Sequence, residues 1–317
     1  MTTTAGSLLI TGARLADGTR TDLFLADGLL ADPASAPAGV ERMDADGLLA
    51  LPGLVDLHTH LRQPGREDAE TVASGTAAAA RGGFTCVHAM ANTDPVTDTA
   101  EAAEYVAGLG EREGHCEVRA VGAVTKGLAG EELAELGLMA ASKAGVRVFS
   151  DDGRCVGDSL LMRRALTYAK AFDGVVAQHS QDTRLAGPSA CCHESEWSGR
   201  LGLPGWPSQA ESVVVARDVQ LAELADARVH VCHVSTAESV EVIRWAKQRG
   251  IKVTAEVTPH HLLLDTPLVA GYDTVFKVNP PLRTSEHLEA VREALADGTI
   301  DIVGTDHAPH ARQDKDH

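Results

Sequence analysis

From residue 50 onward, short apolar runs alternate with longer stretches rich in Ala, Glu and Arg whose apolar positions return at helical spacing. A continuous apolar run suits a strand buried on both faces, and a 3.6-residue period suits a helix with one buried face. The runs at 51–58, 84–90, 118–121, 146–150, 175–179, 229–234, 253–257 and 300–304 are predicted strands. Segments 71–81, 131–143, 159–171, 211–225 and 239–248 are predicted helices. Strand followed by helix, repeated along one chain, is the pattern of a parallel barrel. The expected fold is therefore α/β, a TIM (β/α)8-like barrel over residues 50–317.

Residues 1–49 follow another pattern. Leu8-Leu9-Ile10, Ala13-Arg14-Leu15 and Asp22-Leu23-Phe24-Leu25 alternate around Gly and Asp turns, as in a small antiparallel sheet. They are expected to form part of a small β-sandwich module, incomplete because nothing outside the barrel supplies its remaining strands. After the eighth strand the chain runs into a polar stretch, Arg312-Gln313-Asp314-Lys315-Asp316-His317. The expectation is of a chain shortened at its C-terminus, lacking the last barrel helix and the rest of the small sheet.

With 317 residues, 44% of them hydrophobic, the chain can fill one large barrel. Its formal net charge of −17 argues against nucleic acid or an anionic membrane as partner, since either wants a surplus of Lys and Arg. A small anion can still be held by a few placed cations. Residues 1–10 lack the basic start and apolar core of a leader, and no run approaches the ~20 apolar residues of a membrane span, so a cytoplasmic protein is expected. Cys86, Cys116, Cys155, Cys191, Cys192 and Cys232 show no C-x-x-C spacing and are expected to be reduced. Cys191-Cys192-His193, in a Gly/Ser-rich loop, is not expected to bind a metal.

Candidate chemistry gathers at the C-terminal ends of the strands, where barrels place their active sites. His58 and His60 end the first strand one residue apart; in extended chain both point to one side and can face one ion. Asn92 follows the second strand, Asp151-Asp152 the fourth, His179 the fifth and Asp306 the eighth, while His233 lies in the sixth. Four histidines and two or three carboxylates in one ring suit zinc. They exceed what one ion needs, which points to two ions sharing a bridging carboxylate. The other histidines are expected in supporting places. His260 and His261 read as mainly structural, and His88 and His230 as packing or supporting groups, His230 facing away from His233 by strand alternation. His115, His193, His287 and His317 read as surface residues, and His307, beside Asp306, as pointing elsewhere.

The motifs that carry these residues form a set. They are Asp56-Leu57-His58-Thr59-His60-Leu61-Arg62-Gln63-Pro64-Gly65, Ala91-Asn92-Thr93-Asp94-Pro95, Phe149-Ser150-Asp151-Asp152-Gly153 and Ala177-Gln178-His179-Ser180. Further on come Val231-Cys232-His233-Val234-Ser235-Thr236, Val278-Asn279-Pro280-Pro281-Leu282-Arg283 and Thr305-Asp306-His307-Ala308-Pro309-His310. Together they resemble the amidohydrolase superfamily and, within it, the dihydroorotases of the long bacterial type, over essentially the whole chain. The resemblance implies a metal-dependent hydrolase barrel in which His58 and His60 bind one Zn2+, His179 and His233 a second, and Asp152 bridges the two. Asp151 is the alternative bridge; many relatives in the wider superfamily carry a carboxylated lysine there. The resemblance further implies that Asp306 touches the metal and is the catalytic acid and base, and that His60, Arg62, Asn92, Asn279 and His310 contact substrate. Two departures stand out: Ala91 where a proline commonly precedes the asparagine, and the absent C-terminal part.

The implied reaction is reversible hydrolysis of (S)-dihydroorotate to N-carbamoyl-L-aspartate in pyrimidine biosynthesis, with a homo-oligomer or an aspartate transcarbamoylase complex as implied partners. One alternative is another cyclic amidohydrolase, a hydantoinase or allantoinase, against which Arg62 and Asn92 speak. Another is a non-catalytic scaffold, against which the full ligand set speaks. Segment 191–209, long for a compact barrel, is expected to be a mobile loop near the site.

Overall fold

The computed structural model describes residues 6–315, so His317 and the start of the 1–10 segment lie outside the described residues. The chain separates into two compact units, Met1–Gly53 and Leu54–His317, a boundary slightly later than the expected one at 49/50.

In the first unit, Leu8–Arg14 is one continuous strand. It pairs antiparallel with Arg20–Ala26, which pairs antiparallel with Leu29–Ala31. The fourth strand, Glu41–Asp44, runs parallel to Leu8–Arg14, so the sheet is mixed and not wholly antiparallel as expected. The cause is the connection: after the turn Pro33–Ser35 the chain re-enters on the far side of the first strand in the same direction. Leu9, Ala13, Phe24 and Ala45 are buried in this unit.

In the second unit, parallel strands run at Leu54–Thr59, Phe84–Ala89, Glu117–Ala120, Val148–Phe149, Val175–Gln178, Val229–Val231, Val253–Val257 and Ile302–Val303. They fall into a three-stranded and a five-stranded group. Bridges between Gly122 and Phe149, and between Thr59 and His307, join the groups at both seams and close the ring. Val87, Val118, Phe149, Val176, Val229 and Val253 belong to one continuous buried core. Several strands are shorter than their apolar runs, as at 84–90, 146–150, 175–179, 229–234 and 300–304, where the last residues of the run leave the ladder.

The helices Val72–Arg81, Ala100–Glu113, Ser159–Lys170, Gln209–Ala225, Ala237–Gln248 and Ser285–Ala296 connect the strands. Thr71, Thr99, Asp158 and Thr236 start four of them, each side chain accepting a backbone N–H three residues on. The helix expected over 131–143 contracts to Leu136–Ala141. Its Glu-rich start is drawn off into a bridge between Thr125 and Leu133 and a Lys126 N–H to Glu132 carbonyl bond of 3.0 Å. Segment 191–209, expected to be a mobile loop, contains regular elements. It holds the helix Glu196–Leu201 and a parallel pairing of Cys192–His193 with Gly205–Trp206, anchored by the buried Trp206. All six cysteines are free. Among the described residues no helix is long and apolar enough to cross a membrane.

Candidate metal centre

Alternation along the first strand gives Asp56, His58 and His60 one common face, and all three are buried. Asp56 serves the frame. It accepts from the His58 N–H (3.1 Å), the Thr305 N–H (3.1 Å) and Thr305 Oγ1 (2.5 Å), clamping the first strand to the loop after the eighth. Just past the strand ends, Arg62 (φ +61°), His233 (φ +33°) and Asp306 (φ +48°) adopt left-handed backbone. Such conformations cost non-glycine residues about 1–2 kcal/mol each and persist where the surroundings over-determine them.

Asp152 lies at the centre of the ring. Its Oδ2 is 3.4 Å from His58 Nε2 and 3.3 Å from His60 Nε2, while its Oδ1 is 3.1 Å from His233 Nε2 and 3.4 Å from His179 Nδ1. Asp306 Oδ1 adds contacts of 3.4 Å and 3.1 Å to the Nε2 atoms of His58 and His60. The result is two donor clusters sharing one carboxylate: His58, His60, Asp152 and Asp306 on one side, and Asp152, His179 and His233 on the other. His58 Nε2 is buried without a hydrogen-bond partner.

The electrostatics favour a cation. Burial pushes the imidazoles of His58 and His60 toward neutrality, yet Asp152 and Asp306, joined at His58 by Glu256, overcome it, holding His58 well above its ordinary value and His60 at about 8. Burial likewise raises Asp152, and the surrounding imidazoles more than reverse it. Carboxylates this deep demand positive charge, as protons on the histidines or as a metal ion, and an all-imidazole-and-carboxylate donor set suits a divalent metal.

Three of the histidines are held at their far nitrogen, the usual way a protein orients imidazole ligands. His60 Nδ1 meets Asn92 Oδ1 at 2.8 Å, His58 Nδ1 meets Glu256 Oε1 at 2.5 Å, and His179 Nε2 meets Gln181 Oε1 at 2.8 Å. Sequence reasoning missed Glu256 and Gln181. A lone glutamate inside the apolar run 253–257 is a readable signal, since a buried carboxylate needs a partner; Gln181 offers none. Asn92 therefore touches a ring histidine as well as standing where substrate contact is expected. Arg62 is partly buried, its Nε donating to the Pro309 carbonyl at 2.9 Å. Asn279 reaches Gln181 Oε1 at 3.4 Å, whereas His310 remains exposed and its ring is not bonded to the centre.

Several other histidines depart from expectation. His193 and His287 are buried, not superficial, stacked edge-on at 5.1 Å, with His193 Nδ1 3.1 Å from Arg283 Nη1. His193, within segment 191–209, thereby packs against His287 of the helix Ser285–Ala296. His230 bonds the same Glu256 carboxylate that supports His58; the strand ends at Val231, so alternation does not carry through to His233. His260 Nε2 is buried without a partner and lies in the fields of Asp306 and His233. His261 is structural, bonded to Thr258 and Pro280. His307 points away to Glu70 at 2.8 Å, and His115 is exposed.

A closed parallel barrel carrying joined His/Asp clusters at its strand ends is an amidohydrolase-type barrel. The L-hydantoinase of Arthrobacter aurescens shares this fold, with a TM-score of 0.83 at 24% identity, over 97% of this chain and 70% of that one. A Dihydro-orotase-like family profile matches residues 47–239. The dihydroorotase of Leifsonia xyli subsp. xyli is 65% identical over 98% of this chain and 71% of its own length. Those of Streptomyces coelicolor and Mycobacterium tuberculosis are 60% and 53% identical, over 97% and 98% of this chain and 72% and 73% of their own lengths. The chain belongs to the dihydroorotase-like family and is a cyclic amide hydrolase.

Proposed function

We infer that this chain is a zinc-dependent dihydroorotase, reversibly hydrolysing (S)-dihydroorotate to N-carbamoyl-L-aspartate in pyrimidine biosynthesis. In this reading His58 and His60 would hold one Zn2+, His179 and His233 a second, with Asp152 available to both. The observation that carries it is the division of the two Asp152 oxygens between two histidine pairs. Zinc supplies acidity to water and polarisation of the amide carbonyl at neutral pH. Asp306, charged because the neighbouring imidazoles outweigh its burial, takes a proton from the attacking water and returns it to the departing amide nitrogen. A C–O bond forms, the ring C–N bond breaks, and one carboxylate serves as base and then acid. Arg62, tethered through Nε, presents its remaining nitrogens as a fork to the substrate carboxylate, and Asn92, Asn279 and His310 add hydrogen bonds; His60, with Nδ1 on Asn92 and Nε2 in the metal cluster, acts on substrate only through the metal it holds. This local cation lets a chain of net charge −17 hold an anion.

The test is hydrolysis of dihydroorotate by the zinc-reconstituted chain, with hydantoin for comparison and zinc counted in the same sample. Preference for dihydroorotate with two zinc ions per chain is expected. Preference for hydantoin, or full activity in Asp306→Asn, would overturn the reading.

A further inference from the structure

The carboxylate of Glu256 is almost wholly buried and uses both oxygens inside the barrel. Oε1 is 2.5 Å from His58 Nδ1 and also accepts the His233 N–H at 3.3 Å; Oε2 is 3.3 Å from His230 Nε2. His230 is braced in turn, its Nδ1 2.8 Å from Thr254 Oγ1. The space for this group exists because residue 304 is glycine. A Cβ there would stand 2.6 Å from Glu256 Oε2 and 2.9 Å from its carboxyl carbon.

We propose that Glu256 is a positioning residue that fixes His58 in a single tautomer and ring orientation for metal binding, with His230 and Gly304 holding Glu256 in place. A carboxylate only accepts, so whenever His58 is neutral, as metal binding requires, its proton must sit on Nδ1 and its lone pair on Nε2. That Nε2 is the buried nitrogen without a hydrogen-bond partner, 3.4 Å from both Asp152 and Asp306. Because Oε1 also receives the His233 N–H, the same carboxylate ties the supports of both histidine pairs together. Outer carboxylates of this kind raise the basicity of the imidazole they hold, and losing one typically costs 10–100-fold in metal affinity.

The inference rests on the metal reading of the site, and the experiment separates the two. Zinc affinity of the full chain is measured by chelator competition for the wild type, Glu256→Gln, Glu256→Ala and Gly304→Ala, with the His58 Nδ1 proton followed by NMR in metal-free protein. Gln keeps an acceptor for Nδ1–H and can donate to His230, so it should retain the Nδ1 proton signal and lose about 10-fold in affinity. Ala should lose the signal and about 100-fold, and Gly304→Ala, which displaces the carboxylate, should fall between them. If Glu256→Ala does not fold, the near-isosteric Gln variant decides. Variants that bind zinc as tightly as the wild type would overturn the inference and leave the metal reading standing. A wild type that takes up no zinc would bring down both.

Discussion

Asp151 and Asp152 are consecutive in the chain, yet their carboxylates go opposite ways. Asp151 accepts the N–H groups of Val124 (2.8 Å) and Thr125 (3.0 Å) and the Thr125 hydroxyl, tying the loop after the third strand to the end of the fourth. Asp152 faces the four ring histidines. In the metal reading the pair separates a structural role from a ligand role, and substitution should do the same. Asp152→Ala should abolish zinc binding at both positions. Asp151→Ala should retain zinc but lose about 3 kcal/mol, since it strands buried donors at 1–3 kcal/mol each. Metal analysis and denaturant melts on both variants check this; zinc loss confined to Asp151→Ala would reverse the assignment.

Arg62 is held in left-handed backbone at φ +61° with its Nε committed to the Pro309 carbonyl, so its guanidinium plane is set before any ligand arrives. Arg62→Met should leave zinc content unchanged and raise KM for dihydroorotate roughly 10–100-fold, the value of a charge-assisted pair at 1.5–3 kcal/mol. Arg62→Lys should recover little of it, because a point charge cannot replace a bidentate fork. An unchanged KM in the Met variant would remove Arg62 from the substrate contacts.

What could be read in the sequence follows from how local each signal is. The barrel strands were legible because strands buried on both faces are continuous apolar runs, and the ring of His58, His60, His179, His233 and Asp306, with the pair Asp151-Asp152, because barrel chemistry sits at strand ends; only the family pattern favoured Asp152 over Asp151. The parallel placement of Glu41–Asp44 was not, since its four residues are all exposed and carry no alternation. Glu256 was legible in principle, as a charge in an apolar strand. Gln181 and Arg283 take their meaning from partners distant in sequence, such as Asn279 and His193, which no local pattern reveals. His193 and His287 misled for the same reason: polar neighbours in sequence are not neighbours in space.

Arg283 joins the 191–209 segment to the barrel wall. Its Nε donates to Ser235 Oγ at 3.0 Å, Nη1 lies 3.1 Å from His193 and 3.3 Å from the Trp206 carbonyl, and Nη2 is 3.7 Å from Glu211. Burial lowers its pKa to about 10, and both charges of the Arg283–Glu211 pair are out of water. Arg283→Met leaves Glu211 without its cation and should cost roughly 3–5 kcal/mol. It should also free the Cys192–His193 and Gly205–Trp206 pairing, seen as new protease cleavage within 191–209. Stability within 1 kcal/mol of wild type, with no new cleavage, would show that the hydrogen bonds Glu211 receives from Ser235 and Thr236 suffice alone.

Asp218 gives the fold a pH dependence of unusual sign. It is 1% exposed, accepting from Arg217 Nε at 2.8 Å and Gln178 Nε2 at 3.0 Å. Burial outweighs both donors and pushes its carboxyl up to about 6, from 3.8. Between these values the folded state holds a proton that the unfolded state has released, so this group's contribution to stability falls as pH rises from about 4 to 6 and is fully present only below the lower value. The change between about pH 4.5 and pH 7.5 comes to roughly 2 kcal/mol. Asp218→Asn cannot titrate. The stability of the metal-free variant minus that of the metal-free wild type should therefore drop by roughly 2 kcal/mol on going from about pH 7.5 to pH 4.5. Paired denaturant melts at the two pH values measure it, and a difference that stays constant would mean that Arg217 and Gln178 keep Asp218 ionised throughout.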